Sequence, residues 1–163
     1  MKCDFETAVK RGCCGEMKAP EKRNLVRALL EKGPYIDAEI LDAYKNIANC
    51  DKLVYECRQI GKSVPEEHSY AAKVITEADV QLIIQYSKAC EMLADKLKTK
   101  DMIEKCFSLL DEGIEKGILT ARYLIGKPIF QTAHEFNCCE REVRKKTDKA
   151  LDKIAKIVLC DGK

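Results

Sequence analysis

The chain has 163 residues, of which 46% are hydrophobic and 34% are charged, and its formal net charge is +2. This length suits one domain, or a small domain on a helical arm, and the near-neutral charge excludes a basic DNA condenser. No run of about 18 apolar residues occurs, which excludes a hydrophobic membrane-spanning helix.

Apolar residues recur at steps of three and four along most of the chain, which predicts helices. Residues 1–20 show only a weak helical pattern, interrupted by Gly12, Gly15 and Pro20. A helix is predicted over residues 21–32, stopped by Gly33-Pro34, and a second over residues 35–60. Since no period-two alternation competes, the predicted fold class is all-α.

A capping box at residues 63–66 predicts the start of a long helix. This helix is predicted to reach about Lys98, with a further helical segment from Asp101 to about Asp111. The apolar spacing is typical of a bundle helix or a coiled-coil arm. We therefore expect residues 1–110 to form a helical bundle or an oligomerisation arm, and place any domain boundary between Thr99 and Gly117.

The most informative segment lies between Ile118 and Ile154. It contains a short apolar helix pattern, a Gly-Lys-Pro break, a second short pattern, a turn at Asn137, and a long basic helix. Two short helices joined by a tight turn are typical of a helix-turn-helix. We expect residues 111–163 to form this helix-turn-helix region, attached to a helical N-terminal region.

The pattern also predicts how these helices pack. Ala133 is small enough for two helices to cross closely, and Asn137 supplies the positive φ that such a turn needs. The residues predicted to face inward are Leu119, Tyr123 and Leu124 on the first helix, and Val143, Thr147, Ala150, Leu151, Ile154, Ile157 and Val158 on the last.

Charge is concentrated in the same part of the chain. Residues 122–156 include nine Lys/Arg and five Asp/Glu, a local charge of +4, so the remainder carries −2. A basic end on a mildly acidic body fits one anion-binding surface. Arg141, Arg144 and Lys145 would project outward early in the last helix, where such helices meet DNA.

A resemblance to a known family is carried by a run of residues with matching spacing. These are Arg122-Tyr123-Leu124, Gly126, Ala133, Glu135, Phe136-Asn137, Glu140-Arg141, Val143-Arg144 and Lys149-Ala150-Leu151. The run resembles the fourth conserved region of bacterial sigma factors and, equally, the C-terminal end of small phage transcriptional regulators of the ArpU and RinA type. It covers about 40 residues, a quarter of the chain.

The resemblance implies sequence-specific DNA binding and control of transcription, with the helix from Glu140 in the major groove. The expected partners are double-stranded DNA and RNA polymerase, and we expect a homo-oligomer with no cofactor and no catalytic activity. The candidate DNA-binding residues are Lys127, His134, Glu140, Arg141, Arg144, Lys145 and Lys149.

Four residues depart from the family pattern. Thr132 and Thr147 stand where the pattern has a buried Ile and a buried Leu, Cys138 replaces a branched aliphatic residue, and Phe130 replaces a solvent-facing polar one. Large-to-small core changes cost about 1–4 kcal/mol each. Either the N-terminal helices cover this domain, or the motif serves another use, such as a protein contact that includes Phe130.

Ten cysteines are many for this length. Because residues 1–20 lack the apolar stretch of a signal peptide, we expect a cytoplasmic protein with reduced thiols that replace apolar core residues. No C-x-x-C occurs, and a metal site would need His134 with Cys138 and Cys139 to meet Cys13 or Cys14. A thiol- or metal-responsive regulator therefore stays an alternative, as does a protein-protein interaction module that reuses the helix-turn-helix.

Overall fold

The computed structural model describes the backbone of residues 17–63 and 69–160, and the side chains of residues 17–56 and 80–159. Within these residues the chain forms six helices and no strand, which confirms the predicted all-α class. The helices are α1 (Ala19–Leu30), α2 (Gly33–Ser63), α3 (Ser69–Ser108), α4 (Ile114–Tyr123), α5 (Ile129–Glu135) and α6 (Glu140–Cys160). None of the helices described is both long and apolar enough to cross a membrane.

Two predicted helix boundaries differ from the observed ones. Ser63, predicted to begin a helix, is the last residue of α2, and the rest of that capping box lies outside the described residues. The helix α3 runs through Lys98 without interruption and ends at Ser108. No Gly or Pro stands between Lys98 and Asp101 to stop it.

Contacts divide the chain into two compact units. The first, which we call the core unit, comprises residues up to Ile36 and residues from Thr99 onward. The second, the middle unit, comprises Asp37–Lys98. The region predicted to hold a domain boundary, Thr99 to Gly117, begins directly after the middle unit ends at Lys98. However, the contacts do not separate residues 1–110 from residues 111–163. The helix α1 and the end of α3 belong with the helix-turn-helix region because their apolar faces pack against it.

Two apolar clusters hold the core unit together, and α6 contributes to both. The smaller cluster consists of Ile118, Ala133 and Val143, so it joins α4, α5 and the start of α6. The larger cluster joins α1, the end of α3, α4 and the rest of α6. Its members include Val26, Leu29, Leu30, Ile103, Phe107, Leu119, Leu151, Ile154 and Leu159. The first described helix, α1, therefore covers the helix-turn-helix region, which is one of the two arrangements expected for a region with a weak core.

Two residues predicted to face inward are exposed instead. Leu124 is 40% exposed because α4 ends at Tyr123, so Leu124 no longer follows the helical face. Ile157 is 38% exposed. Glu115, in the first turn of α4, contacts Lys153 of α6. Because α4 begins at that level, it does not reach Ile157, which lies one turn further along α6.

Ion pairs add to the apolar contact between α1 and α6. The Nε and Nη2 atoms of Arg23 donate to the two carboxylate oxygens of Asp152, each at 2.7 Å. Arg27 Nη2 donates to Asp148 Oδ1 at 2.6 Å. Bidentate guanidinium–carboxylate pairs have a defined geometry as well as favourable energy. They therefore fix α1 along one side of α6.

The junction between α1 and α2 packs against the end of α4. A Cβ atom at Gly33 would overlap the main-chain carbonyl oxygen of Tyr123. The adjacent Pro34 ring packs beside Gly126, whose φ of 77° favours glycine. The close approach at Gly33 is therefore available only to a residue without a side chain.

We predict that Gly33→Ala destabilises the protein by about 2 kcal/mol or more, because the obstructing atom belongs to the backbone and cannot rotate away. The matched control is Gly113→Ala. A Cβ there meets nothing within 4 Å, and the φ of 163° is extended, so a change below about 0.5 kcal/mol is expected. Urea unfolding measures both, and equal effects would contradict the close contact.

Candidate nucleic-acid interface

The turn between α5 and α6 has the backbone geometry that the sequence predicts. Asn137 has a φ of 49°, and is the one non-glycine residue with positive φ in the described part of the chain. The amide of Cys138 donates to the carbonyl oxygen of Ala133 at 3.0 Å, which closes the end of α5. The chain then begins α6 at Glu140. The turn therefore directs α6 away from α5 within four residues.

Small residues allow the three helices to pack closely. Ala133 is buried in α5, and Val143 and Ile118 are fully buried beside it. A Cβ at Gly117 would lie 2.8 Å from the Phe136 ring, so glycine admits that ring against α4. These contacts bury one side of α6 and leave its opposite side exposed.

Four candidate residues lie together on the first two turns of α6. Glu140, Arg141, Arg144 and Lys145 are all exposed. Arg144 Nη2 lies 3.2 Å from Glu140 Oε2, so these two charges are paired. Arg141 and Lys145 form no ion pair with any residue that the structure describes, and both project away from the buried face. Lys146, which is half-buried, also forms no ion pair with a described residue, so Arg141 and Lys145 are the two exposed cations without one at this end of the helix.

The other three candidates are arranged differently. Lys127 Nζ donates to Glu135 Oε2 at 2.9 Å, and Lys149 Nζ lies 2.9 Å from Glu115 Oε1. Carboxylates of the same chain therefore already neutralise both lysines. His134 is exposed in the last turn of α5. These residues flank the start of α6 without forming one continuous cationic surface with it.

Glu115 is a residue that sequence reasoning missed. It lies in the first turn of α4 and accepts hydrogen bonds from Lys153 and Lys149, which lower the pKa of its carboxyl group. The local charge of +4, counted over residues 122–156, includes both lysines but not Glu115. No sequence signal identifies their partner, because the contact joins residues more than 30 positions apart.

Two of the described cysteines, Cys106 and Cys138, pack as small apolar residues, whereas Cys139 is exposed. Cys106 is buried in the larger cluster, and burial raises the pKa of its thiol to about 11, so it stays protonated at neutral pH. Cys138 packs against the smaller cluster, as predicted. Among the residues placed by the structure, no group of three His, Cys, Asp or Glu could hold a metal ion. Cys13 and Cys14 lie outside the described residues.

The chain matches no family model, no curated protein and no solved structure at a significant level. Its function must therefore be inferred from the residues and their geometry.

We predict a pH-dependent contribution of Glu115 to stability. Because its pKa is lowered from the ordinary value of 4.5, the stabilisation is complete above that value and is lost as the pH falls through the folded-state pKa. Glu115→Gln should lower the free energy of unfolding by about 1 kcal/mol at neutral pH and by much less near pH 3.

The control for this prediction is Glu112→Gln. Glu112, which precedes α4, pairs with Lys116, and its side chain is 89% exposed, so its removal should have little effect at either pH. Urea unfolding across the pH range measures both variants. An effect of Glu115→Gln that does not change with pH would contradict the ion-pair explanation.

Proposed function

We propose that the protein is a sequence-specific DNA-binding regulator of transcription that acts in the cytoplasm. In this proposal the amino-terminal half of α6 enters the major groove of double-stranded DNA. The observation that carries it is the free exposure of Arg141 and Lys145 on a helix whose other side is anchored by Val143. Arginine and lysine side chains at this position of a helix-turn-helix reach base edges and phosphates.

The charge pattern of the core unit supports the proposal. Asp148 and Asp152 on α6 are paired with the two arginines of α1. They therefore contribute little repulsion towards a phosphate backbone. With those carboxylates neutralised, Glu142 is the one carboxylate of α6 without an ion pair among the described residues, and the charges of Arg141 and Lys145 together exceed it.

The middle unit supports a homo-oligomer. Among its described side chains, only Ala43 and Ala89 are buried apolar residues. Ile83 and Leu97 on α3 are exposed on one side of the helix, as are several apolar residues of α2. Helices gain most of their stability from packing an apolar face, so the exposed apolar residues described here offer a surface for a partner. The same face of a second copy would complete both copies symmetrically.

We predict that Arg141→Ala combined with Lys145→Ala weakens binding to DNA selected from a random pool by about 10- to 100-fold. The control removes two exposed lysines of the middle unit, Lys52→Ala with Lys88→Ala, and so changes the net charge equally. Fluorescence anisotropy at several salt concentrations measures affinity and salt slope. Equal binding by the two double variants would refute the proposed contact.

We predict that Ile83→Glu lowers the mass of the protein in solution, because a carboxylate in an apolar interface is left without a partner. Gln85→Glu is the control, since it adds the same charge on the opposite side of α3. Light scattering after size exclusion measures the mass. A wild-type protein that is monomeric at high concentration would contradict the oligomer.

A second candidate function rests on an apolar surface near the α4–α5 connection. Ile125 and Phe130 are each 60% exposed, and Leu124 is exposed beside them in sequence. Exposed apolar patches are typical of protein contacts, so this surface would bind a protein partner, with RNA polymerase as the expected one. Phe130→Ser should then abolish that contact, whereas DNA affinity should not change.

A further inference from the structure

A cleft of about 480 Å³ lies within the core unit, between α1, α4, α5 and α6. Five charged side chains line it: the arginines Arg27, Arg122 and Arg144, from three separate elements, and the carboxylates Glu31 and Asp148. Thr147 and Tyr123 form part of its wall. This volume is within the range of small-molecule binding sites. Because the arginines outnumber the carboxylates, the lining favours an anion.

Two polar atoms of this wall have no hydrogen-bond partner. Thr147 is 2% exposed, and its Oγ1 atom is buried without a partner, as is the Nε atom of Arg122. They are the two such side-chain atoms in the part of the chain that is described. Leaving a buried donor unpaired is unfavourable by about 1–3 kcal/mol. Both residues line the same cleft, so a rotation of their side chains would present these two atoms to a bound molecule.

Thr132 shows that the two threonines are not equivalent. Both replace a buried aliphatic residue of the family pattern. The Oγ1 atom of Thr132 donates to the Pro128 carbonyl oxygen at 3.1 Å, so its polar group is satisfied within its own helix. Thr147 has no such bond. Its hydroxyl is therefore a polar group that the fold itself does not use.

The charges of the cleft differ in availability. Arg27 is paired with Asp148, and Arg144 with Glu140. Arg122 makes no ion pair with a described residue, and its guanidinium lies 5.4 Å from the centre of the Tyr123 ring. A half-buried, unpaired guanidinium attracts an anion more strongly than an exposed one does, because water screens it less.

We propose that this cleft binds a phosphate group, with Arg122 and Thr147 as donors to its oxygens. Several convergent donors around one anion are the arrangement that phosphate recognition uses. The group is carried either by a small phosphorylated molecule or by the DNA backbone. The second source rests on the proposed function, since Arg144 lies both in the cleft and on the surface proposed to contact DNA.

The first experiment uses pyrophosphate and inorganic phosphate as probes, with ionic strength held constant. Calorimetry and thermal unfolding of the full chain are measured for the wild type, Arg122→Gln and Thr147→Val, with Thr132→Val as the control. We expect both cleft variants to weaken probe binding at least about tenfold. Thr132→Val should keep the wild-type affinity. Without probe, Thr147→Val should raise the Tm by about 2–4 °C, so its loss of binding cannot come from misfolding.

The second experiment measures DNA affinity of the same variants against salt. If the probes do not bind but Arg122→Gln lowers DNA affinity and the salt slope falls by about one, the phosphate belongs to DNA. Probe binding without any DNA binding supports the cleft and refutes the proposed function. If Arg122→Gln changes neither probe nor DNA binding, the cleft assignment is overturned, even where the Arg141 and Lys145 double variant still weakens DNA binding.

Discussion

The structure of the core unit depends on α6 being shared between two apolar clusters. Its first turns are anchored by Val143 between α4 and α5, and its remaining turns by Leu151 and Ile154 against α1 and α3. A helix of 21 residues behaves as one rigid element. Packing at its far end therefore fixes the direction in which Arg141 projects. The helix α1, more than 100 residues away from α6 in sequence, is in this sense part of the helix-turn-helix region.

The charged side chains of α6 form ion pairs with two different neighbouring helices. The arginines of α1 pair with Asp148 and Asp152, and Glu115 of α4 pairs with Lys149 and Lys153. Each pairing is partly exposed, so its net contribution to stability is modest. Its larger consequence is electrostatic, because Arg141 and Lys145 at the amino-terminal end of α6 keep their charges unpaired. The proposed DNA contact depends on this selection more than on the total charge.

The two buried threonines of this small core differ in whether their hydroxyl groups are paired. Thr132 satisfies its hydroxyl within α5, whereas Thr147 faces a cleft with its hydroxyl unpaired. A sequence pattern shows both only as weak substitutions for aliphatic residues. An aliphatic residue at either position would pack well, so an unpaired hydroxyl at Thr147 is an exception to the consistency expected of a folded core. Such exceptions concentrate at binding sites, which is why the cleft carries a proposal.

The sequence by itself determined the all-α class, the turn at Asn137 and the buried positions Ala133 and Val143. These properties follow from local periodicity and from the φ angle that one residue must adopt, so nearby residues suffice to predict them. Only the tertiary structure decided that α1 packs against α6 and that Glu115 pairs with Lys149. It also decided that the contacts do not divide the chain at residue 110. Each depends on residues distant in sequence, and helical periodicity specifies an apolar face without specifying its partner.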